Sequence, residues 1–416
     1  MGKKKCNKLK KVLLSLLLVV VIIAGAVAIA NVITSNSVAE YAASFENVAK
    51  ENALQPEKDE SGSWTFTSDE EFKVMQLTDI HIGGGFLSAA KDKSALLTVA
   101  TMIKEAQPDL VIVTGDIAFP VPYAAGTFNN KSGAKIFASL MESLGVYWTV
   151  VFGNHDTESY SYFGRETMSE FYSDPDYKYC LYSAGPEEVD GYGNYVIKVK
   201  NSDGIITQGL ICMDSHSYTD GDYLGIMWKY DNLHENQIEW YKEQIEAMNS
   251  ENKTLGSEDT VKSMVFIHIP ISEYKSALTE FARAGYNDTD DVKHHHGMAG
   301  ETGKVVYHGM HEDNFFETAL ELNSTKAIFC GHDHYNNFSF DYKGIRLTYG
   351  YSVDFLAYSG INKEGSQRGC TMITLSPDGS FDCEGINYYS SGMASEEEKA
   401  QVTMQFEDVT YQFIKE

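Results

Sequence analysis

The chain has 416 residues, of which 43% are apolar and 22% are charged, and its formal net charge at pH 7 is −26. This length and composition allow one large or two ordinary globular domains and exclude a wholly disordered chain. The acidic balance argues against a surface that neutralises nucleic-acid phosphates, which needs clustered Lys and Arg, so we expect no nucleic-acid polymer as a partner.

The first 33 residues differ in composition from the rest. Six lysines precede an uncharged apolar run over residues 12–33: Lys3, Lys4, Lys5, Lys8, Lys10 and Lys11. The run is long enough to cross a bilayer, which takes about 20 residues, and the lysines predict a cytoplasmic N-terminus. Residues 1–33 are therefore predicted to be a signal anchor, or a signal peptide cleaved near Ala28-Ile29-Ala30. Either form predicts an extracytoplasmic protein, held in the membrane through residues 12–33 or secreted after cleavage.

The next segment, residues 34–70, is polar with weak periodicity and is interpreted as a linker. After it, strand and helix patterns alternate. Strands are predicted over 72–77, 110–113 and 147–152, and helices over 94–106 and 134–143. Alternation at this spacing predicts βαβ units and stacked α/β layers.

The second half continues with mixed elements. A hairpin is predicted over 195–199 and 205–213, helices over 234–248 and 314–322, and strands over 264–267 and 327–330. Short strands follow through Tyr388, and the last residues are a charged appendage.

Side chains of the metal-ligand type follow five of the predicted strands. They are Asp79 with His81, Asp116, Asn154 with His155, His268, and His332 with His334. In open α/β sheets, sites form beyond the carboxyl ends of the strands, so residues far apart in sequence converge there. Carboxylates, imidazoles and an amide oxygen suit two divalent ions such as Mn, Fe or Zn. Each piece alone is common by accident, but all five in order predict a dinuclear metal centre rather than five structural residues.

The order of these residues matches a known set of motifs. They read Asp79-Ile80-His81, Gly115-Asp116, Gly153-Asn154-His155-Asp156, His268, and Gly331-His332-Asp333-His334. This set resembles the calcineurin-like metallophosphoesterase superfamily over about residues 72–350. The sequence around two further segments resembles the small Dcr2-type branch near the purple acid phosphatases. These segments are Met213-Asp214-Ser215-His216 and Phe266-Ile267-His268-Ile269-Pro270.

The resemblance implies an α/β fold, in which a β-sandwich of two sheets is flanked by helices. The domain carrying it would cover residues 71–390, with 391–416 as a C-terminal appendage.

The resemblance also implies a role for each motif residue. One metal would be held by Asp79, His81, Asp116 and His334, and the other by Asp116, Asn154, His268 and His332. Asp116 would bridge the two ions. His155 would face the substrate and protonate the leaving oxygen rather than bind a metal.

The implied activity is a metal-dependent phosphomonoesterase that attacks a phosphate-ester substrate with a metal-bridging hydroxide. A phosphodiesterase acting on nucleotides, lipid headgroups or cell-wall polymers is the alternative, because the same core performs both reactions. A non-catalytic, membrane-tethered metal-binding protein is a remote alternative, which predicts decayed ligands. One departure bears on the metals: purple acid phosphatases bind ferric iron through a Tyr where this chain has Phe119, so divalent pairs are expected.

Other residues allow two readings. Arg165, His216 and His308 are candidate phosphate contacts, although Arg165 is equally an exposed helix residue. His294-His295-His296 is interpreted as a loop segment rather than a third metal site, within a stretch over 284–311 that is expected to cover the site. Cys370 and Cys383 either face each other across a hairpin or are buried free thiols. Strand packing or core burial is expected for Trp148, Trp228, Trp240, Tyr349, Tyr351 and Tyr358.

Overall fold

The computed structural model describes residues 2–301, 303, 305–358, 361 and 368–402. The predicted appendage therefore lies outside the described residues from 403 onward. The helices are α1 Gly2–Ala42, α2 Ala89–Ala106, α3 Pro122–Ala125, α4 Asn130–Leu144, α5 Arg165–Tyr172, α6 Glu235–Thr254, α7 Glu273–Arg283, α8 Phe315–Leu322 and α9 Glu396–Ala400. The strands are β1 Glu57–Lys58, β2 Trp64–Thr67, β3 Phe72–Leu77, β4 Leu110–Thr114, β5 Trp148–Val151, β6 Tyr195–Lys200, β7 Ile206–Cys212, β8 Lys262–Phe266, β9 Val292–His296, β10 Thr325–Cys330, β11 Ser339–Tyr342, β12 Ile345–Tyr349, β13 Gly369–Leu375 and β14 Phe381–Asn387.

The described strands form two sheets. The smaller has the order β14-β13-β3-β4-β5, and the larger has the order β1-β2-β6-β7-β8-β10-β12-β11-β9. Strands β3, β4 and β5 pair in parallel, as do β7, β8, β10 and β12. Because parallel strands carry their carboxyl ends at one edge, each sheet presents several strand ends side by side.

The two sheets pack face to face between layers of helices. Met264 and Phe266 of β8 share a buried cluster with residues of the smaller sheet, and the rings of Phe266 and Phe329 stack with centroids 5.0 Å apart. The alternate residues Val265 and Ile328 join a second cluster with α6, α7 and α8. Strand β4 is buried at every position, as expected for a strand covered on both faces. This arrangement confirms the predicted α/β sandwich of two sheets flanked by helices.

Element boundaries differ from those predicted by a few residues in either direction: β5 is shorter, at Trp148–Val151, and α4 is longer. Strand β3 covers the six predicted residues, whereas α4 begins at Asn130 rather than at 134. The polar first turn of α4 carries no apolar periodicity, which is why the pattern located only its later turns. The helix ends before Gly145, whose φ of +70° is the left-handed conformation that favours glycine.

The segment between the apolar run and the domain differs from the expected linker. Helix α1 continues without a break to Ala42, and Val38 and Ala42 are fully buried in the core. Within 57–67, strand β2 pairs in parallel with β6. Polar residues on one face of α1 and at alternate positions of β2 hide this structure from a composition argument, since apolar residues recur only at every second to fourth position.

The C-terminal hairpin settles the alternatives for two cysteines. Strands β13 and β14 pair antiparallel, but Cys370 lies opposite Ile386 and Cys383 opposite Ile373. Both thiols are free and buried, as are the other cysteines whose side chains are described. The offset of three positions in register excludes the facing arrangement.

Candidate metal centre

The predicted ligands meet at one edge of the sandwich. Strands β3, β4 and β5 of the smaller sheet and β8 and β10 of the larger sheet end there, and each is followed within four residues by its motif side chain. We call this edge the ligand edge. Four non-glycine residues of the motifs have left-handed backbone conformations: Asp79 (φ 50°), His81 (φ 54°), Asp116 (φ 56°) and His332 (φ 79°). Such strain costs about 1–3 kcal/mol per residue and clusters at functional sites.

Close approach explains two of the motif glycines. A Cβ on Gly115 would lie 2.4 Å from His268 Nδ1, and a Cβ on Gly331 would lie 1.8 Å from Thr78 Oγ1. Neither position accepts a side chain without moving the neighbouring loop.

The first predicted ligand group converges on one point. Asp79, His81, Asp116 and His334 each offer one ligand atom, and these atoms all lie within 4.8 Å of one another. His334 Nε2 lies 3.3 Å from Asp79 Oδ1, and His81 Nε2 lies 3.3 Å from Asp116 Oδ2. All four residues are buried.

The second group lies beside the first and shares Asp116. His268 Nε2 lies 3.3 Å from Asp116 Oδ2 and 3.2 Å from Asn154 Oδ1. His332 Nδ1 lies 2.9 Å from the same amide oxygen. Asp116 Oδ2 therefore lies 3.3 Å from a ring nitrogen of both His81 and His268, so the two groups meet at this oxygen.

These separations fit metal ligands. Nitrogen and oxygen ligands bound at about 2.1 Å from one divalent ion lie roughly 3.0–3.4 Å from each other. The contacts above span 2.9–3.3 Å. Imidazole, carboxylate and amide donors suit Mn, Fe or Zn.

A carboxylate without a motif to mark it lies behind two of the imidazoles. Asp354 Oδ1 lies 3.3 Å from His81 Nδ1, and its Oδ2 lies 3.9 Å from His334 Nδ1. Burial opposes ionisation of Asp354, but the neighbouring His81 imidazole holds its pKa below the ordinary value. In metal sites, a carboxylate behind a histidine helps to hold the ring so that its other nitrogen could bind the ion, and Asp354 is placed for that role. Asp354 follows the end of β12 by five residues, without a motif to mark it.

His268 is oriented in the same way by the backbone. Its Nδ1 lies 2.7 Å from the carbonyl oxygen of Thr114, which leaves Nε2 toward the ligand atoms. Asp156, the acid after the third motif, binds the loops together by accepting the N–H groups of Asp116, Ala118 and Gly153, each at 2.9 Å.

His155 has a different position from the ligands. Its side chain is partly exposed at a cavity, its backbone N–H donates to Asp116 Oδ1 (2.8 Å), and its Nδ1 lies 2.8 Å from Glu158 Oε1. The Tyr218 hydroxyl also donates to Glu158 Oε1 (2.9 Å). The Phe119 ring lies 4.9 Å from the His155 ring and supplies an apolar wall at the position expected to lack a tyrosinate ligand.

A cavity of about 200 Å³ opens on the ligands. Its lining consists of His155, Trp228, Tyr230, Glu301, Tyr307, His332, Asp333, His334 and Tyr358. Burial raises the pKa of Asp333 to about 8, and Tyr349 donates a hydrogen bond to it (2.6 Å).

Two aromatic residues were assigned wrongly from the sequence. Trp228 is not a core residue, since 62% of it is exposed, and Tyr358 lies against His334 with ring centroids 3.9 Å apart instead of packing in a strand. Both lie in irregular segments, where the alternation of apolar and polar residues that marks a strand carries no information.

The three candidate phosphate contacts are not among the cavity-lining residues of the described chain. Arg165 is neither exposed nor free, because its guanidinium donates to Asp214 Oδ1, to the carbonyl oxygens of Gly153 and His216 and to Ser217 Oγ. His216 lies 2.8 Å from Gln237 Oε1, and His308 Nδ1 lies 2.7 Å from the carbonyl oxygen of Gly309.

The stretch over 284–311 only partly covers the site. Glu301 and Tyr307 line the cavity, whereas residues 292–296 form the edge strand β9, paired with β11. His295 lies 2.9 Å from Asp341 on that strand pair, so the three histidines belong to a sheet edge rather than to a loop.

Comparison with known proteins gives matches to a phosphoesterase family and to proteins named as phosphatases. A family model described as calcineurin-like phosphoesterase matches residues 72–336. Probable inactive purple acid phosphatase 14 of Arabidopsis thaliana is 27% identical over 320 residues, which cover 71% of this chain and 74% of that protein. Phosphatase DCR2 of Saccharomyces cerevisiae is 26% identical over 294 residues, 65% of this chain and 45% of that protein. The crystal structure of a dimetal phosphatase from Danio rerio is 13% identical, covers 76% of this chain and 96% of that chain, and has a TM-score of 0.46.

Proposed function

The chain belongs to the calcineurin-like phosphoesterase family, and on that premise we propose that it is a phosphomonoesterase that works with two divalent ions. The observation that carries the proposal is the pair of overlapping ligand groups that share Asp116 Oδ2. The first ion would be held by Asp79, His81, Asp116 and His334, and the second by Asp116, Asn154, His268 and His332. When bound, such a pair supplies Lewis acidity and activates water at neutral pH.

The chain's own residues would complete the reaction. Water oxygen attacks phosphorus while the ester P–O bond breaks, and the leaving oxygen takes up a proton. His155 is the group placed to give that proton, because it lies at the cavity beside the ligands without being needed as one. Its contact with Glu158 Oε1 fixes the ring and leaves Nε2 free for the substrate.

The size of the cavity favours monoesters over diesters. It measures about 200 Å³ and is walled by Trp228, Tyr307 and Tyr358. A phosphate monoester has one organic substituent that must extend from such a cavity, whereas a diester has two substituents to accommodate.

We also propose that the protein acts outside the cytoplasm on an uncleaved anchor. Among the described residues, one helix, Lys8–Ala42, is long and apolar enough to cross a membrane. Its later turns are built into the core through Val38 and Ala42. This continuity favours an anchor over a signal peptide, since a cut near Ala30 would leave a helix stub on the domain.

The test uses the full chain in detergent, stripped of metal and reloaded with Mn, Zn or Fe. We expect metal-dependent hydrolysis of 4-nitrophenyl phosphate in preference to bis-(4-nitrophenyl) phosphate. Asp116→Asn should lose both bound metal and activity, and His155→Ala should keep the metal but lose about 10²–10⁴-fold in kcat. His295→Ala, at the sheet edge, is the matched control and should change neither.

Three outcomes would count against the proposal. A chain that binds no metal and hydrolyses neither ester would be a non-catalytic member of the family. A strong preference for the diester would make the enzyme a phosphodiesterase. Full activity of His155→Ala would remove that residue from the reaction.

A further inference from the structure

Helix α1 meets the domain at the ligand edge. Asn31 Nδ2 donates to the carbonyl oxygen of Gly126 (2.8 Å), and Asn31 Oδ1 accepts the N–H of Phe86 (2.9 Å). Phe86 follows the ligand His81 by five residues, and Gly126 lies in the connection that leaves β4 at the same edge.

The direction of α1 follows from its other end. Ser143 Oγ donates to the carbonyl oxygen of Ala42 (3.0 Å). The N–H of Val48 donates to the carbonyl oxygen of Leu144 (3.0 Å). Helix α1 therefore lies beside α4 and runs the same way, from the ligand edge to the opposite edge. Residues 8–26 are exposed and extend beyond the ligand edge.

That exposed part has the length of a membrane span. Residues 9–29 cover about 30 Å as a helix, which is the thickness of a hydrocarbon core. Since the helix passes into the domain without a break, the ligand edge lies where the span ends.

The ligand edge also carries a set of exposed apolar side chains, which we call the apolar belt: Phe86, Leu87, Tyr123, Phe128, Tyr162, Tyr223, Leu224, Ile226, Met227 and Trp228. Contacts tie parts of the belt to each other and to the neighbouring loop. Phe128 pairs with Tyr162 at 6.1 Å between ring centroids, and Ser159 Oγ donates to the carbonyl oxygen of Tyr223 (2.6 Å). Trp228 lines the cavity, so the belt reaches from α1 to the mouth of the site.

The loop over 222–229 holds its apolar residues outward by specific bonds. The Asp222 carboxylate accepts the N–H groups of Met227 (3.1 Å) and Lys229 (2.9 Å), and Trp228 has a left-handed φ of 53°. Ile226 is nevertheless 74% exposed. The surfaces of soluble proteins seldom combine backbone strain with an exposed run of large apolar residues. We therefore infer that this loop makes contact with an apolar partner.

We propose that the apolar belt rests in the interfacial layer of the bilayer that α1 spans, and that the substrate is a phosphate ester carried on a membrane amphiphile. Exposed Trp and Tyr among aliphatic side chains are the residues found at the membrane–water interface. The cavity then opens at the level of lipid headgroups, with the apolar arm of the substrate left in the bilayer. The substrate class rests on the proposed phosphoesterase function; the position of the belt does not.

The position is tested with the full chain in phosphatidylcholine nanodiscs. We expect brominated lipid to quench tryptophan emission relative to unbrominated lipid, and Trp228→Phe to abolish the difference. Of the other three tryptophans, Trp148 and Trp240 are buried, and Trp64 is half-buried in β2 and packs against the core. Equal emission in both lipids, or quenching that persists in Trp228→Phe, would overturn the proposal and leave the belt free for another partner, such as a second copy of the chain.

The substrate class is tested by the ratio of two rates, for phosphatidic acid in vesicles and for soluble 4-nitrophenyl phosphate. Leu224→Ser combined with Ile226→Ser should lower this ratio by about tenfold or more, as the loss of buried aliphatic side chains predicts. Leu255→Ser is the matched control, because Leu255 is equally exposed (51% against 54% for Leu224) but lies at the opposite edge, after α6. An unchanged ratio in the belt variant would refute the substrate class, whereas no hydrolysis of either ester would refute the proposed function instead.

Discussion

Carboxylates lie behind three histidine rings of the candidate site. Asp354 stands behind His81 and His334, and Glu158 stands behind His155. A neutral imidazole has one donor and one acceptor nitrogen, so an acceptor at Nδ1 leaves Nε2 of His81 or His334 to bind a metal. His155 can donate to Glu158 and also give a proton from Nε2 only as the imidazolium, in which both nitrogens carry protons. Glu158 thus orients the proposed acid without touching the substrate, and we treat it as a positioning residue.

We expect Glu158→Gln to lower kcat about 10–100-fold while KM changes little, because the ring loses its ionic partner but the binding groups stay in place. The loss should be larger for an alkyl phosphate than for 4-nitrophenyl phosphate, since nitrophenolate leaves with little need for a proton. Steady-state kinetics with both esters measures the difference.

A second carboxylate–histidine pair, away from the cavity, controls for the general effect of replacing a carboxylate by an amide. Asp190 lies 2.7 Å from His234 on the surface, and Asp190→Asn should leave both kinetic constants unchanged. Equal losses for the two esters in Glu158→Gln would show that the residue supports the fold of the loop rather than proton transfer.

At the scale of elements, the acidic start of α7 lies within electrostatic range of the acidic start of α8. Burial, together with the neighbouring carboxylates of Asp313 and Glu317, raises the pKa of Glu273 from its ordinary value of 4.5 to about 7. Because the folded pKa exceeds the unfolded one, the protonated form is favoured by folding. Its stabilising contribution is complete below about pH 4.5 and is lost as the pH rises toward 7.

We therefore expect Glu273→Gln to stabilise the protein at pH 8 and to have a smaller effect at pH 5. The gain at pH 8 should be on the order of 1–2 kcal/mol after allowance for solvent screening, or a few degrees in Tm. Thermal unfolding at the two pH values measures it, with Glu243→Gln on the exposed face of α6 as the control. A gain of equal size at both pH values would contradict the titration argument.

The motif residues were predictable because strand ends and ligand chemistry are both local signals. Asp79, Asp116 and His332 each follow an apolar strand within two residues. Their order along the chain matches the motif order of the family that the sequence resembles. Asp354 and Trp228 were not predictable, since one follows β12 by five residues and the other sits in a loop without periodicity. Their roles come from the way distant loops meet at the ligand edge, which single-sequence patterns do not contain.

At the scale of the whole molecule, α1 is both the apolar span and part of the core. Val38 is 1% exposed, whereas Val32, six residues earlier on the same helix, is 62% exposed. The domain is therefore joined to the span through a packed helix rather than through a flexible linker. This rigid connection is what keeps the ligand edge at a fixed orientation to the membrane in our proposal.

The contrast between these two valines gives a direct test. In a soluble chain of residues 31–416, Val38→Asp should lower the free energy of unfolding by about 3–5 kcal/mol, because it places an unpaired charge in the core. Val32→Asp should change it by less than about 0.5 kcal/mol, since that side chain faces solvent in this chain. Urea unfolding measures both values. If the two variants were equally stable, α1 would not pack on the domain in solution, and the span would carry the enzyme on a flexible joint with no preferred face toward the bilayer.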